Sequence, residues 1–181
     1  AVIVLYSLFF IPEQTSTNQN LTKKEKVEQI TDTPSIEKKE TVIAISRDEA
    51  LSKSERIQFE NNNVIGSISL KGASIDDLTF KKYKVSLDKE DRVTLLGPRN
   101  INKGYLIESG FVTSDKNVDV PNSKTIWSLE GNNKLTNKSP IKLSWTNNQG
   151  LKFEKKISLD DEYLFTVKQK VINKTNNKYD F

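Results

Sequence analysis

The sequence predicts an all-β fold, an antiparallel β-sandwich running from about Glu55 to Phe181. From Glu55 onward apolar residues recur at alternate positions in short runs, the period of a strand with one face buried and one wet. Clusters of Asn, Gly and Asp separate the runs, as turns separate strands. No long 3.6-residue apolar pattern competes in this region. Meandering antiparallel sheets of this kind pack face to face.

Residues 1–11, reading AVIVLYSLFFI, are uncharged and apolar. A membrane-spanning helix needs about 20 apolar residues, so this run is shorter than a complete span. A core strand does not suit the long polar tract that follows, and a cleaved signal peptide calls for small residues after the apolar run, where the chain has Phe9-Phe10-Ile11-Pro12-Glu13. The run reads as the C-terminal part of an uncleaved transmembrane helix, with Val2, Ile3, Val4, Leu5, Leu8, Phe9, Phe10 and Ile11 as the bilayer anchor. Glu13 to Leu21 carries no Lys or Arg, which places that flank outside the cytoplasm.

Residues 12–54 are dominated by Thr, Ser, Asn, Gln, Glu and Lys, with no aromatic residue. Such a stretch buries too little surface to offset the entropy of ordering and reads as a disordered polar linker. Within it, Arg47 to Lys53 suits a helical turn.

The domain proper, residues 55–181, breaks into successive strands. Ile57 and Phe59 alternate before the turn Asn61-Asn62-Asn63; Val64, Gly66, Ile68 and Leu70 alternate before Gly72. Ile75 to Phe80 forms another strand, Val93 to Leu96 a short one stopped by Gly97-Pro98, and Tyr105 to Val112 one interrupted at Gly110, the mark of a bulge. Ile126 and Trp127 lie in a strand ending at Gly131. Ile141, Leu143 and Trp145 share a face, then Asn147-Asn148-Gln149-Gly150 makes a hairpin turn. Leu151, Phe153, Ile157 and Leu159 share the next face, with Lys155 the exception, and Tyr163, Phe165, Val167 and Val171 share the last.

Composition excludes several chemistries. The 181 residues include no cysteine and no histidine, which removes disulfides, thiolates, imidazole bases and Ser-His-Asp triads. No cofactor or metal is called for. The 28 Lys and Arg against 24 Asp and Glu leave a formal charge of +4 spread along the chain, without the basic face or motif of a nucleic-acid reader.

Several segments together resemble the periplasmic domain of YidC-type membrane protein insertases. They are Lys71-Gly72-Ala73-Ser74-Ile75-Asp76-Asp77-Leu78 with Phe80-Lys81-Lys82-Tyr83, Val93-Thr94-Leu95-Leu96-Gly97-Pro98, Thr125-Ile126-Trp127, Leu135-Thr136, Pro140 to Trp145, Phe153 to Ile157, and Asp161 to Val167. Their order and spacing carry the match. The resemblance implies a mutarotase-like supersandwich between two membrane helices, here truncated at both ends. It implies a non-enzymatic accessory role in inserting and folding inner-membrane proteins, alone or with the Sec translocon. Implied partners are nascent membrane proteins, Sec translocon components and, through the N-terminal helix, the lipid bilayer. The implied location is the bacterial inner membrane with the β-domain in the periplasm. The alternative is a carbohydrate-binding module on the same sandwich.

Remaining motifs read as structure first. Adjacent Asp76 and Asp77 on a strand point to opposite faces and suit a solvated strand start better than a metal site. Asp160-Asp161 suits a turn. Trp127 and Trp145, candidates for stacking on a sugar, fall on core positions by alternation.

Overall fold

A computed structural model describes residues 45–181. The first element among the described residues, α1 (Arg47–Ser52), is one short helix. Ser46 caps it, its hydroxyl accepting the Glu49 amide at 3.2 Å, and Asp48 and Glu49 place negative charge in the first turn, where the helix dipole favours it. Residues 45–54, assigned from the sequence to the end of the disordered linker, therefore hold a capped helix, and Ala50 within it is buried. The helical turn anticipated from Arg47 is present. No helix among the described residues is long and apolar enough to cross a membrane.

Nine strands follow: β1 (Arg56–Glu60), β2 (Val64–Ser69), β3 (Ser74–Lys84), β4 (Arg92–Leu96), β5 (Ser128–Glu130), β6 (Lys134–Leu135), β7 (Ile141–Thr146), β8 (Leu151–Leu159) and β9 (Phe165–Asn173). They form two sheets, one ordered β4-β3-β2-β1-β6 and the other β5-β7-β8-β9. Every pairing is antiparallel except β1 with β6. Phe59, Ile68 and Ile75 from the first sheet and Leu143, Phe153 and Ile157 from the second share one buried apolar cluster. Across it Phe59 meets Phe165 edge to face, ring centroids 5.0 Å apart. This is the β-sandwich the alternation predicts.

Turn chemistry sets the registers. The Asn61 side-chain oxygen accepts the amides of Asn63 and Val64, both at 2.8 Å, closing the β1–β2 hairpin as an Asx turn. Gly72 and Ala73 both take positive φ, 75° and 51°, the conformation of a tight hairpin connection. Gly66 has a different reason: a Cβ there would lie 1.9 Å from the Asp77 carbonyl oxygen, so the backbone approach of β2 to β3 admits only glycine.

One segment departs from the sequence expectation. Tyr105 to Val112 is not a strand. Ile107 alone bridges Ile75, with reciprocal amide-to-carbonyl bonds of 3.0 Å. Farther along β3, β4 occupies that edge. The chain instead leaves the first sheet and crosses to the second. There the Ser109 carbonyl accepts from the Lys155 ammonium and the Gly110 carbonyl accepts from Gln169 Nε2 at 3.0 Å. Side chains of β8 and β9 take the place of a ladder.

Candidate functional site

The long β3 strand outruns its cover. Its burial falls from buried at Ser74–Leu78 to exposed at Lys82–Lys84. Past Leu78 its apolar side chains line an open groove with those of β4 and the β8–β9 turn. Val64, Leu78, Phe80, Tyr83, Val93, Leu95 and Tyr163 form the lining, around a volume of about 410 Å³. Phe80 stacks edge to face with Tyr83 at 5.3 Å and with Tyr163 at 5.8 Å. Tyr83 and Leu95 are about half exposed, at 53% and 52%. Contiguous exposed apolar surface of this kind marks interaction sites. The Tyr83 hydroxyl beside Tyr163 raises the Tyr163 pKa, chiefly through their hydrogen bond. No charged side chain is among those lining the groove.

Asp76 and Asp77 require a correction. They are buried, not a solvated strand start. The β2–β3 register shifts between Ser67 and Ile68, so Asp77 faces Ser67 while Ile75 faces Ile68, leaving Asp76 as the extra residue of a β-bulge. The bulge resets the alternation: Ile75 and Leu78, of opposite parity, both reach the core. It also gathers the two carboxylates into one network. Arg56 pairs with Asp76 and donates through Nε to Ser67 Oγ at 2.7 Å; Arg47 from α1 pairs with Asp77, which accepts from Ser67 Oγ at 2.6 Å. Each acid has an arginine, so the pair pins α1 and β1 to β3.

A second enclosed space lies under the crossing segment. Alternation along β8 puts Lys155 on the core face, and its side chain is 1% exposed. Its ammonium donates to the Ser109 carbonyl and sits 5.0 Å from the centroid of the Trp127 ring, a cation–π contact. Burial pushes its pKa down from 10.5 to about 8, with nearby Glu108 opposing. The sequence marked Lys155 only as the polar exception on an apolar face; the parity of the strand was the signal that it turns inward.

Trp127 is buried, as expected, but Trp145 is only partly so, packed at the edge of the cluster against Phe153. Asp160 makes a turn, its carboxylate accepting the Glu162 and Leu164 amides at 2.9 Å each. Among the described residues no group of three or more His, Cys, Asp or Glu is placed to hold a metal ion. The anchor residues Val2, Ile3, Val4, Leu5, Leu8, Phe9, Phe10 and Ile11 lie outside the described residues.

A family model described as the YidC periplasmic domain matches residues 56–181, from the first residue of β1 onward. The chain belongs to the YidC periplasmic domain family. A membrane protein insertase YidC of Pelagibacter ubique is 56% identical over all 181 residues, covering 100% of this chain and 32% of the relative. One of Brucella suis is 43% identical over 130 residues, 71% of this chain and 21% of the relative. One of Mesorhizobium japonicum is 40% identical over 135 residues, 74% and 22%. The chain thus spans a third or less of the curated relatives it matches.

Proposed function

We propose that this chain is a periplasmic accessory domain of a membrane protein insertase, supporting insertion and folding of inner-membrane proteins alone or with the Sec translocon. The observation that carries the reading is the open groove of Phe80, Tyr83, Leu95 and Tyr163, on a domain whose relatives are named insertases. An apolar segment emerging from a translocon on the periplasmic side has to be kept from other apolar surfaces, and a groove of tyrosine and leucine gives it a reversible resting place. Tyrosine suits the task because it offers apolar area with a polar tip. The N-terminal run Val2 to Ile11 holds the domain at the bacterial inner membrane, on the periplasmic side, and the domain itself performs no enzymatic turnover.

Photocrosslinking in the complete insertase tests this. A photoreactive residue at Leu95 is expected to capture a nascent membrane protein during its synthesis, while one at Lys156, on the outward face of β8, is not. Equal yields at both positions, or none at Leu95, would overturn the groove as the contact.

A further inference from the structure

We propose that the outward face of the second sheet docks on an anionic phospholipid surface through Lys156, Lys168 and Lys170. The inference rests on the reading that the run Val2 to Ile11 holds the domain at the membrane. Alternation along β8 and β9 turns all three lysines away from the core, and all three are exposed. The ladders set Lys142 opposite Lys156 and Lys156 opposite Lys168, so a row of lysines crosses three strands. Residues directly opposite have Cβ atoms about 4.5–5.5 Å apart, where like charges repel. Lys142 is compensated, pairing with Glu130 at 3.0 Å and with Glu154 at 2.7 Å. Lys152 pairs with the same two acids, so two carboxylates are matched by two ammonium groups. Among the described residues Lys156, Lys168 and Lys170 form no ion pair, although Lys170 stands opposite Glu154 in the ladder.

Three uncompensated cations gathered on one part of a sheet repel one another, and a negative surface laid against them relieves that repulsion. The C-terminal tail does not supply it. The tail turns to the core side, where Phe181 packs on Phe153 at 5.7 Å and the Asp180 carbonyl accepts from the Thr113 hydroxyl at 2.8 Å. The shape of the face selects the partner. The three lysines line neither the apolar groove nor the space beneath the crossing segment, so a small anion finds no cradle in either. The centre of a protein–protein interface is apolar and poor in lysine. Among the outward side chains of β7, β8 and β9 only Ile172 is apolar. A lipid surface needs neither a pocket nor an apolar centre. It is broad enough to meet all three ammonium groups at once, and each lysine brought close to an anionic leaflet gains about fivefold in binding.

The chain has no cysteine, so one introduced thiol carries a dye at a single place. The full chain is reconstituted with vesicles of phosphatidylcholine, with or without phosphatidylglycerol, that bear an acceptor dye on a headgroup. Energy transfer is read from a donor at Thr166→Cys, beside the lysines on β9, and from one at Ser86→Cys, in the β3–β4 connection. Transfer from position 166 is expected to rise when phosphatidylglycerol is present and to fall back in about 1 M sodium chloride, where the Debye length is about 3 Å. Transfer from position 86 is expected not to rise. Changing Lys156, Lys168 and Lys170 together to Gln is expected to lower the ratio of docked to undocked domain about a hundredfold, at about fivefold for each lysine. The same change at Lys82, Lys89 and Lys103, on the first sheet and its loops, is expected to preserve docking. Equal rises at positions 166 and 86, no rise at 166, or docking undiminished in the triple variant at 156, 168 and 170 would overturn the proposal. Without vesicles that variant is expected to melt no lower than the unaltered chain, because repulsion is removed; a lower midpoint would assign the lysines to the fold and overturn the proposal as well. Flotation with vesicles of phosphatidylcholine alone tests the N-terminal anchor separately. A chain that fails to float there refutes the anchor, and the sheet face is then judged by flotation with phosphatidylglycerol vesicles, which the triple variant is expected to lose.

Discussion

Lys155 and Gln169 face each other across the β8–β9 ladder, and their side chains take the carbonyls of two consecutive residues, Ser109 and Gly110. A cross-strand pair thus anchors a segment that belongs to neither sheet. Phe111 follows directly and packs edge to face on Phe153, centroids 5.0 Å apart, so a polar clamp and an apolar plug hold the crossing together.

The clamp carries a charge, and the charge gives a pH signature. Lys155 has its pKa lowered by burial from 10.5 to about 8. Between those values the unfolded chain binds more protons than the folded one. Stability from this group therefore rises as pH rises from about 8 towards 10.5, with a slope of at most ~1.4 kcal/mol per pH unit. Urea melts across that range are expected to show the rise in the unaltered chain and to lack it in Lys155→Met. Parallel curves for the two proteins would show that Lys155 is not desolvated in the folded state.

The bulge at Asp76 makes a second, unequal pair of expectations. Arg56 and Asp76 have side chains 9% and 11% exposed, while Arg47 opposite Asp77 is 38% exposed. Arg56→Ala leaves a buried carboxylate without its cation, at a cost of about 3–5 kcal/mol. Arg47→Ala costs less, because water reaches that side of the pair and Ser67 still donates to Asp77. Equal midpoints for the two variants in urea would contradict the burial.

How much of this was legible beforehand follows from what alternation can and cannot register. The parity of Ile57, Phe59, Leu151, Phe153, Ile157 and Leu159 named the core correctly, because each lies in an unbroken ladder. It misjudged Asp76 and Asp77, because a bulge changes parity without any change in composition, and two acids look solvated until their arginines are placed. It over-read Tyr105 to Val112, where apolar residues follow a crossing path and not a strand. The groove escaped notice for the opposite reason: Phe80 reads as one more strand residue, and Tyr83, Leu95 and Tyr163 come together only when β3, β4 and the β8–β9 turn are assembled.

The tryptophans separate on the same ground. Trp127→Ala empties a fully buried site and is expected to cost about 3–5 kcal/mol. Trp145→Ala, at the partly exposed end of β7, is expected to cost distinctly less, although alternation puts both tryptophans on core positions. Thermal melts of the two variants side by side check the order.

The outward face of the second sheet carries a charge network with an acid limit. Glu130 pairs with Lys142 at 3.0 Å and Lys152 at 2.8 Å, and both lysines also reach Glu154. Hydrogen bonds from Lys152, Ser144 and Lys142 hold the Glu130 pKa at about 2, below its ordinary 4.5. The folded pKa is depressed, so the stabilisation is complete above 4.5 and is lost as pH falls towards 2. Glu130→Gln is expected to flatten the loss in that window, and added salt to weaken the contribution in the unaltered chain. A Glu130→Gln protein whose acid melting curve overlays the original would rule the network out as a stabiliser.

The last expectation concerns β9. It is the outer strand of its sheet, paired to β8 along Phe165–Asn173 and to no other strand among the described residues. Its outer backbone groups form a row nine residues long. Phe165, Val167 and Val171 turn towards the core but remain only partly buried, so apolar surface lies alongside the open row. A long, partly apolar edge is a template for another strand. Lys168 and Lys170 are exposed, yet they project from the opposite face and leave the apolar side accessible. Residues 45–181 in isolation are therefore expected to self-associate as concentration rises, through β9 against a second β9. Val167→Lys sets an inward-pointing charge on the edge, the device by which natural sheets block such pairing, and is expected to shift the equilibrium to monomer with the circular dichroism of the folded domain retained. Sedimentation velocity over a hundredfold concentration range distinguishes the outcomes. A monomer at every concentration in the unaltered sequence would mean that β9 is protected as it stands, and association undiminished in a folded Val167→Lys protein would move the contact elsewhere, with the β4 edge and its groove the next surface to examine.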